Sequence, residues 1–411
     1  MNYGLSGEVR QALQDIYYNE RTGRGSEAFA LLQKASDAGD GDASCVLARC
    51  LCGFRYVWKG HGFVEDHERA VKLLHKSVEQ GSALGVLTAL QYGEDMVSGE
   101  ESACSPDLSQ AFDSVLKMAE EGEAFCQYMI GNTYFWQDFL KIQNKNRDSF
   151  ESGASYREYL RENISKCEDW FWKAFKGGIY FAANNLNHYY TKGSADIIAP
   201  RPEKAKKLWK IGAEAGHPIH QYIYAGELQK ENRSEEALYW FMQAADGGHP
   251  GAWSNVGYCY AEGIGTEKDE NFAIQCYEKG MRSGDISCHN RLGRVFLLGL
   301  GVPTDYEKAF KLLSFAYNEG SRWGVFYLAK CYFYGWGTQQ DYTQARRFLE
   351  EMKQSDSEAD YLLGMIYGHG LGTGKDTAKA AEYLQRAGDY EEAKQELLNY
   401  KKTFLGKWVR R

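Results

Sequence analysis

Proline is scarce in this sequence, with 6 in 411 residues, and neither sign of charge is in large excess. The shortage of proline excludes collagen-like and proline-rich linker proteins. Lysine and arginine number 48 against 56 aspartates and glutamates, which gives a formal net charge of -8. Because nucleic-acid-binding proteins usually carry a basic surface, this balance argues against that class, and we expect no nucleic-acid partner.

Long apolar runs are also missing. The longest covers residues 295–302, which is well short of the roughly 20 residues that span a bilayer. Residues 1–8 show neither the basic nor the apolar region of a secretory signal. The ten cysteines keep no fixed spacing, which in a chain without a signal indicates reduced thiols. We therefore expect a cytoplasmic protein with no membrane insertion.

The residues that are present describe a folded protein. Hydrophobic residues make up 44% and charged residues 25%, which is the globular range, so extensive disorder is excluded. A chain of 411 residues would ordinarily form two or three domains. Glycine is abundant, with 44 residues, and its positions carry most of the information.

One phrase recurs along the chain: a Gly-x-Gly turn, an aspartate a few residues later, and an alanine four residues after the aspartate. The copies begin at Gly60, Gly263, Gly299, Gly335 and Gly370. Their alanines are Ala70, Ala273, Ala309, Ala345 and Ala380. Closing glycines at 248, 284 and 320 are 36 residues apart. Self-similarity at a fixed period of this size is the signature of a repeat protein.

Each copy predicts two helices joined by the glycine turn. Before the turn, apolar residues at i, i+4 and i+8, such as Ala252, Val256 and Tyr260, share one side of a helix that we name helix A. After the turn, an aspartate such as Asp305 can accept the free N–H groups of a second helix, helix B. Helix B ends at a glycine suited to the left-handed conformation, such as Gly320.

Glycines inside helix A need a local reason. Gly257, Gly293 and Gly364 occupy the same position of three copies, and glycine costs about 1 kcal/mol relative to alanine in a helix interior. We predict that these glycines let helix A approach the small alanine at the start of helix B very closely.

The repeat phase, extended along the chain, gives about nine to ten units. Residues 1–41 are expected to form an N-terminal helix pair that caps the array. Degenerate repeats follow over 42–248, with a polar insertion near 138–163 that should bulge from one face. Regular repeats cover 249–388, and 389–411 is expected to be a capping helix with a basic tail.

The repeated phrase, Ala-(x3)-Leu-Gly-(x2)-Tyr-(x2)-Gly-x-Gly-(x3)-Asp-(x3)-Ala, resembles the Sel-one-like repeat, a branch of the tetratricopeptide-like proteins. The resemblance covers most of residues 40–388. It implies an all-α fold, a right-handed α/α superhelical solenoid of helix-turn-helix repeats. It also implies a non-catalytic scaffold or adaptor that binds a protein or peptide in a concave groove. A bacterial regulatory or toxin-inhibiting protein is one variant of that role.

Helix A has a second face, opposite its core positions. In tetratricopeptide-like proteins this face lines the groove, so the resemblance assigns it to the partner. Aromatic residues together with Asn, Arg and Lys are typical of interaction surfaces. The alternative is that neighbouring repeats bury these aromatic residues against each other. The predicted partner-binding residues are Phe125, Tyr128, Asn132, Phe181, Asn184, His188, Tyr222, Tyr258, Asn290, Arg294, Trp323, Phe326, Lys330 and Tyr361.

The sequence gives only weak evidence for a metal site. The best set combines three cysteines and three histidines: Cys45, Cys50, Cys52, His61, His67 and His75. A helix would place Cys50 and Cys52 on different faces, whereas zinc sites need converging ligands. We therefore predict neither a metal nor a cofactor.

A hydrolase-type enzyme is the alternative class. Its site would lie in the N-terminal half or in the insertion, which offers Asp138, Asp148, Glu151 and Glu158. Charged residues in a loop are usually a solvated surface, and no nucleophile motif accompanies these. We predict no catalytic residue.

Overall fold

The computed structural model describes residues 4–18, 24–53, 63–93, 107–194, 196–352, 356–404 and 406–411. The chain divides into two compact units, Met1–His217 (unit 1) and Pro218–Arg411 (unit 2). This division falls inside the segment 42–248 that the sequence treats as one series of repeats. The predicted all-α fold is confirmed.

Unit 1 consists of helices that pair with their neighbours in sequence. The helices are α1 (Gly7–Leu13), a π-helix (Gln14–Tyr18), α2 (Gly25–Asp37), α3 (Gly41–Leu51), α4 (His67–Glu79), α5 (Ala83–Tyr92), α6 (Leu108–Glu120), α7 (Ala124–Phe135), α8 (Phe139–Ile142), a 3-10 turn (Arg147–Ser149), α9 (Gly153–Lys176), α10 (Ala182–Lys192) and α11 (Pro202–Glu214).

Unit 2 also consists of paired helices, and it contains one β-hairpin. Its elements are α12 (Pro218–Lys230), α13 (Ser234–Asp246), α14 (Ala252–Glu262), α15 (Glu270–Arg282), α16 (Ile286–Leu298), α17 (Tyr306–Asn318), α18 (Val325–Tyr334), α19 (Tyr342–Glu351), α20 (Ser357–His369), α21 (Thr377–Arg386), α22 (Glu391–Leu397), β1 (Tyr400–Lys402) and β2 (Trp408–Arg410). In the regular repeats, helices A are α14, α16, α18 and α20, and helices B are α15, α17, α19 and α21.

Aspartates cap the helices B as the sequence predicts. The Asp305 carboxylate accepts the backbone N–H of Lys308 at 2.9 Å, and Asp269 accepts that of Phe272 at 2.9 Å. Each carboxylate satisfies a donor that the first helical turn leaves without a partner, which fixes where helix B begins.

In the regular repeats, the second glycine of the Gly-x-Gly turn lies against the preceding repeat. Gly265 abuts the backbone of Ser234 at the start of α13, and Gly337 abuts the backbone of Tyr306 at the start of α17. Both glycines have positive φ, of 71° and 69°. Contacts between main-chain atoms therefore set the spacing of successive repeats.

The glycines inside helix A make the close approach that the sequence predicts. A Cβ atom on Gly293 would lie 2.8 Å from Cγ of Leu313 and 3.4 Å from the carbonyl oxygen of Ala309. Gly257 faces the Tyr277 ring in the same way. The nearest group is thus a large side chain of helix B, and the alanine contributes its backbone oxygen.

Replacing Gly293 by leucine should lower the free energy of unfolding by about 1–3 kcal/mol, because the added side chain overpacks the contact with Leu313. Thermal and urea unfolding followed by circular dichroism measure the loss. Gly226→Leu is the matched control, since a Cβ atom at this helical position meets nothing within 4 Å. That variant should keep or slightly raise the stability, and equal melting of the two variants would contradict the packing argument.

The insertion is only partly the polar bulge that the sequence suggests. Its second half forms the beginning of α9, which is 24 residues long. Its first half is anchored by Phe139, which is 1% exposed and packs on the rings of Tyr134 and Tyr159. Asp148, Glu151 and Glu158 are exposed, whereas Asp138 is buried.

The predicted C-terminal helix and basic tail differ most from expectation. The helix is short, Glu391–Leu397, and the basic tail folds into the antiparallel hairpin β1–β2, with Tyr400 opposite Arg410. Tyr400 is buried, and the hydroxyl of Thr377 donates to the carbonyl oxygen of Trp408 at 3.0 Å. The tail is therefore fixed on α20 and α21 by aromatic packing.

Candidate functional site

The fourteen predicted partner-binding residues fall into a buried and an accessible group. Phe125, Tyr128, Asn132 and Phe181 of unit 1 are at most 2% exposed, and Asn290 of unit 2 is 1% exposed. These five residues belong to the core, so their assignment to a partner was wrong. The accessible group comprises Asn184, His188, Tyr222, Tyr258, Arg294, Trp323, Phe326, Lys330 and Tyr361, which are half-buried or exposed.

The N-terminal segment buries the unit 1 residues. The π-helix that follows α1 inserts Tyr17, whose ring centroid lies 5.0 Å from that of Phe125, 6.4 Å from that of Tyr128 and 6.3 Å from that of Phe181. Tyr17 is itself fully buried. A helical wheel gives the direction of Phe125 and Tyr128 correctly, but it does not show that another segment of the same chain covers them.

Hydrogen bonds account for the two buried asparagines. The Asn185 side chain donates to Oδ1 of the Asn132 side chain, and the Asn290 side chain donates to the Ser321 hydroxyl at 2.7 Å. Each amide joins one helix A to the following repeat, which is the role of a structural polar contact.

A buried arginine completes the filled face of unit 1. Arg49 of α3 is 0% exposed, and its guanidinium lies over the rings of Phe125 and Tyr128 at 5.6 and 5.8 Å. Its Nε–H donates to the Tyr17 hydroxyl at 3.3 Å. Burial raises the pKa of Tyr17, and the nearby Arg49 charge opposes that rise only in part. The phenol therefore stays neutral and accepts the hydrogen bond from Arg49.

The corresponding face of unit 2 is open. Trp323, just before α18, is 52% exposed, and Tyr334 at the end of α18 is 41% exposed. Phe326 and Lys330 lie between them at helical spacing, so the four side chains form one stripe. With their neighbours they make a continuous surface that we name the aromatic ladder: Tyr258, Arg291, Trp323, Phe326, Tyr327, Lys330, Tyr334 and Trp336.

Cations connect the rings of the aromatic ladder. The Arg291 guanidinium of α16 lies 4.5 Å from the Tyr258 ring centroid and 5.5 Å from that of Trp323, so it joins three successive repeats. The ammonium of Lys330 lies 5.3 Å from the Phe326 ring centroid and 5.8 Å from that of Trp336. Such contacts hold flexible side chains in place.

The cations of this face differ in their ion pairs. Lys330 pairs with Glu358 at 2.7 Å, and Arg294 pairs with Glu262 at 3.4 Å. Arg291 forms no ion pair with any carboxylate in the part of the chain that the structure describes. Its guanidinium contacts the rings of Tyr258 and Trp323 instead.

Sequence reasoning missed half of the aromatic ladder. Arg291 and Tyr327 each follow a predicted position by one residue, because the exposed face of helix A is wider than one residue per turn. Tyr334 extends the same stripe by one turn. Trp336 lies within the Gly-x-Gly turn, and stacks on Tyr334 with ring centroids 4.5 Å apart.

The residues considered for metal or catalytic chemistry do not converge. Cys45, Cys50 and Cys52 are buried, and burial raises the pKa of the Cys45 thiol to about 12. His61 lies outside the described residues. Over the described ranges, no group of three His, Cys, Asp or Glu side chains could hold a metal ion.

The paired helices, glycine turns and Asp caps define the class of the molecule: an α/α repeat protein. The Sel1 repeat model matches eight segments of the chain, which together make up more than half of it. They are residues 25–40, 46–82, 180–217, 222–249, 254–285, 286–321, 324–355 and 357–389. The chain belongs to the Sel1 repeat family.

Individual relatives align with only part of this chain. A Sel1-like repeat-containing protein of Schizosaccharomyces pombe is 34% identical over 89 residues, which are 21% of this chain and 13% of that protein. A component of an ERAD-associated E3 ubiquitin-protein ligase of Arabidopsis thaliana is 32% identical over 102 residues, 24% of this chain and 16% of that protein. The matches thus span less than a fifth of either relative.

A solved structure agrees over nearly the whole chain. A protective antigen present in uropathogenic Escherichia coli strains, which displays an SLR fold, aligns with a TM-score of 0.55 and 22% identity. The alignment covers 95% of this chain and 78% of the antigen. At this identity the likeness shows the fold alone. Sel1 repeat proteins are generally protein–protein interaction scaffolds.

Proposed function

We propose that this chain is a non-catalytic scaffold that binds a protein or peptide partner on the aromatic ladder of unit 2. The observation that carries the proposal is the ladder itself, a connected surface of six aromatic rings and two cations. Trp323 at its centre is 52% exposed. Trp, Tyr and Arg are the residues that most often dominate binding energy at protein interfaces.

The contrast between the two units supports this location. In unit 1, Tyr17 covers Phe125, Tyr128 and Phe181, so the large aromatic residues of the predicted face are not available to a partner. In unit 2 the residues at the same repeat positions, Trp323 and Phe326, are exposed and half-buried. The accessible face is therefore the better docking site.

A scaffold role is also consistent with the name of one relative. The Arabidopsis relative is named as a component of a ubiquitin-ligase assembly. By analogy, this chain would hold another protein in an assembly.

The cysteines favour a reducing compartment. The nine cysteines of the described residues are buried thiols. Such thiols behave as small apolar core residues, which supports the proposal of a cytoplasmic protein. In addition, none of the described helices combines the length and apolar character that crossing a membrane requires.

The test is a quantitative pull-down with the full chain. We expect Trp323→Ala/Phe326→Ala to weaken binding of the captured partner about 100-fold, since two central aromatic residues are removed. Affinity purification from native lysate with mass spectrometry, then titration of the captured protein, measures the loss. Tyr239→Ala is the matched control, because Tyr239 is an exposed aromatic residue on α13, a helix B. If the double variant captures every partner as well as the parent chain, the aromatic ladder is not the docking site.

A further inference from the structure

In unit 1, the N-terminal segment of the chain covers the face of α7 that carries Phe125 and Tyr128. Phe125 and Tyr128 lie six and three positions before Gly131, the small residue inside α7. Trp323 and Phe326 lie six and three positions before Ala329, the small residue inside α18. The two pairs therefore occupy the same positions of the repeat.

The occupant in unit 1 is an amphipathic helical segment. Its buried residues recur at helical spacing through α1 and the π-helix, and they are Val9, Ala12, Leu13, Ile16 and Tyr17. Glu8, Arg10 and Gln11 are exposed. The segment thus presents one apolar stripe, and Tyr17 is part of it.

Tyr17 is recognised in two ways at once. Its ring packs at 5.0 Å on Phe125 and edge-on at 6.3 Å against Phe181. Its hydroxyl accepts from the Nε–H of Arg49, an arginine that is itself stacked on Phe125 and Tyr128. An aromatic wall and a ring-stacked arginine together select a side chain with an apolar ring and an acceptor at its end.

Unit 2 repeats this combination on its open face. Arg291 lies over the rings of Tyr258 and Trp323, at 4.5 and 5.5 Å from their centroids. Because Arg291 forms no ion pair among the described residues, its guanidinium N–H groups can donate to a ligand. Phe326 and Tyr327 lie beside Trp323 and extend the aromatic wall.

We propose that the aromatic ladder binds an amphipathic helical segment of a partner protein that carries a tyrosine. The tyrosine ring packs on Trp323 and Phe326, and its hydroxyl accepts a hydrogen bond from Arg291. This proposal rests on the proposed function and specifies the partner. An acidic extended segment fits less well, because Lys330 and Arg294 are already neutralised by Glu358 and Glu262.

The experiment uses a phage-displayed library of random 16-residue peptides panned on the immobilised full chain. Clones that also bind the Trp323→Ala/Phe326→Ala variant are removed. We expect the remaining clones to share apolar residues at helical spacing and a tyrosine, and to gain helical circular dichroism when bound. For the tightest peptide, replacing the tyrosine by phenylalanine should weaken binding about 10-fold, as expected when a hydrogen bond to a charged group is lost.

Arg291 is tested by a double-mutant cycle. On the Arg291→Ala chain, the tyrosine and phenylalanine peptides should bind equally, whereas on Arg282→Ala they should differ as on the parent chain. Arg282 is the matched control, an exposed arginine at the end of α15. Clones that are extended or acidic, or an undiminished tyrosine effect on Arg291→Ala, would overturn this inference alone. If no clone depends on Trp323 and Phe326, that result contradicts both this inference and the proposed function.

Discussion

Replacing Tyr17 by alanine should lower the free energy of unfolding by about 3–5 kcal/mol, the usual cost of deleting a fully buried aromatic side chain. The ring is the centre of a cluster that joins the N-terminal segment to Phe125 and Phe181. The substitution also removes the acceptor of the Arg49 Nε–H, inside a region where Arg49 is 0% exposed. A buried cation that loses a hydrogen bond adds to the cost of the cavity.

Urea unfolding followed by circular dichroism measures the loss, and hydrogen exchange with mass spectrometry locates it in unit 1. Tyr17→Phe is the control that separates packing from hydrogen bonding. It keeps the ring and loses the hydroxyl, so its cost should be about 1–3 kcal/mol. Unchanged exchange in α7 of the Tyr17→Ala chain would show that the N-terminal segment does not stabilise this face.

Replacing Gly337 by alanine should lower the free energy of unfolding by about 2–5 kcal/mol, because two penalties combine. An alanine at its φ of 69° loses about 1–2 kcal/mol. A Cβ atom there would also overlap the backbone carbonyl oxygen of Tyr306, and overpacking costs about 1–3 kcal/mol. Since the overlap is with main chain, no side-chain rotation can relieve it.

Gly320→Ala distinguishes the two penalties. Gly320 has a φ of 88°, but a Cβ atom there meets nothing within 4 Å. Its replacement should therefore cost only the conformational part, about 1–2 kcal/mol. Thermal unfolding of both variants measures the difference, and equal melting temperatures would mean that the turn does not press against the preceding helix.

Features encoded within one repeat could be predicted from the sequence. The Asp305 cap involves residues three apart, and the close contact at Gly293 involves the two helices of one copy. Both depend on local spacing, which a periodic pattern reports directly. The direction of the Trp323 side chain also follows from the wheel phase of helix A, but its exposure does not, because Asn290 lies on the same predicted face and is 1% exposed.

Features that depend on distant segments could not be predicted in this way. Tyr17 covers Phe125 and Phe181, which lie more than a hundred residues further along the chain. Hydrophobic periodicity gives the direction of a side chain but does not identify its neighbour. The β1–β2 hairpin could not be predicted from the sequence either. Its position depends on the burial of Tyr400 against α20 and α21.

The glycine turns of unit 2 connect its repeats through the main chain, whereas the proposed docking surface consists of side chains. Gly265 and Gly337 hold adjacent repeats in register through main-chain atoms, on the turn side of each hairpin. Side chains such as Trp323 and Arg291 are not part of these main-chain contacts. Mutation can therefore replace one specificity by another while the architecture persists, so a single framework of this kind can be adapted to many different ligands.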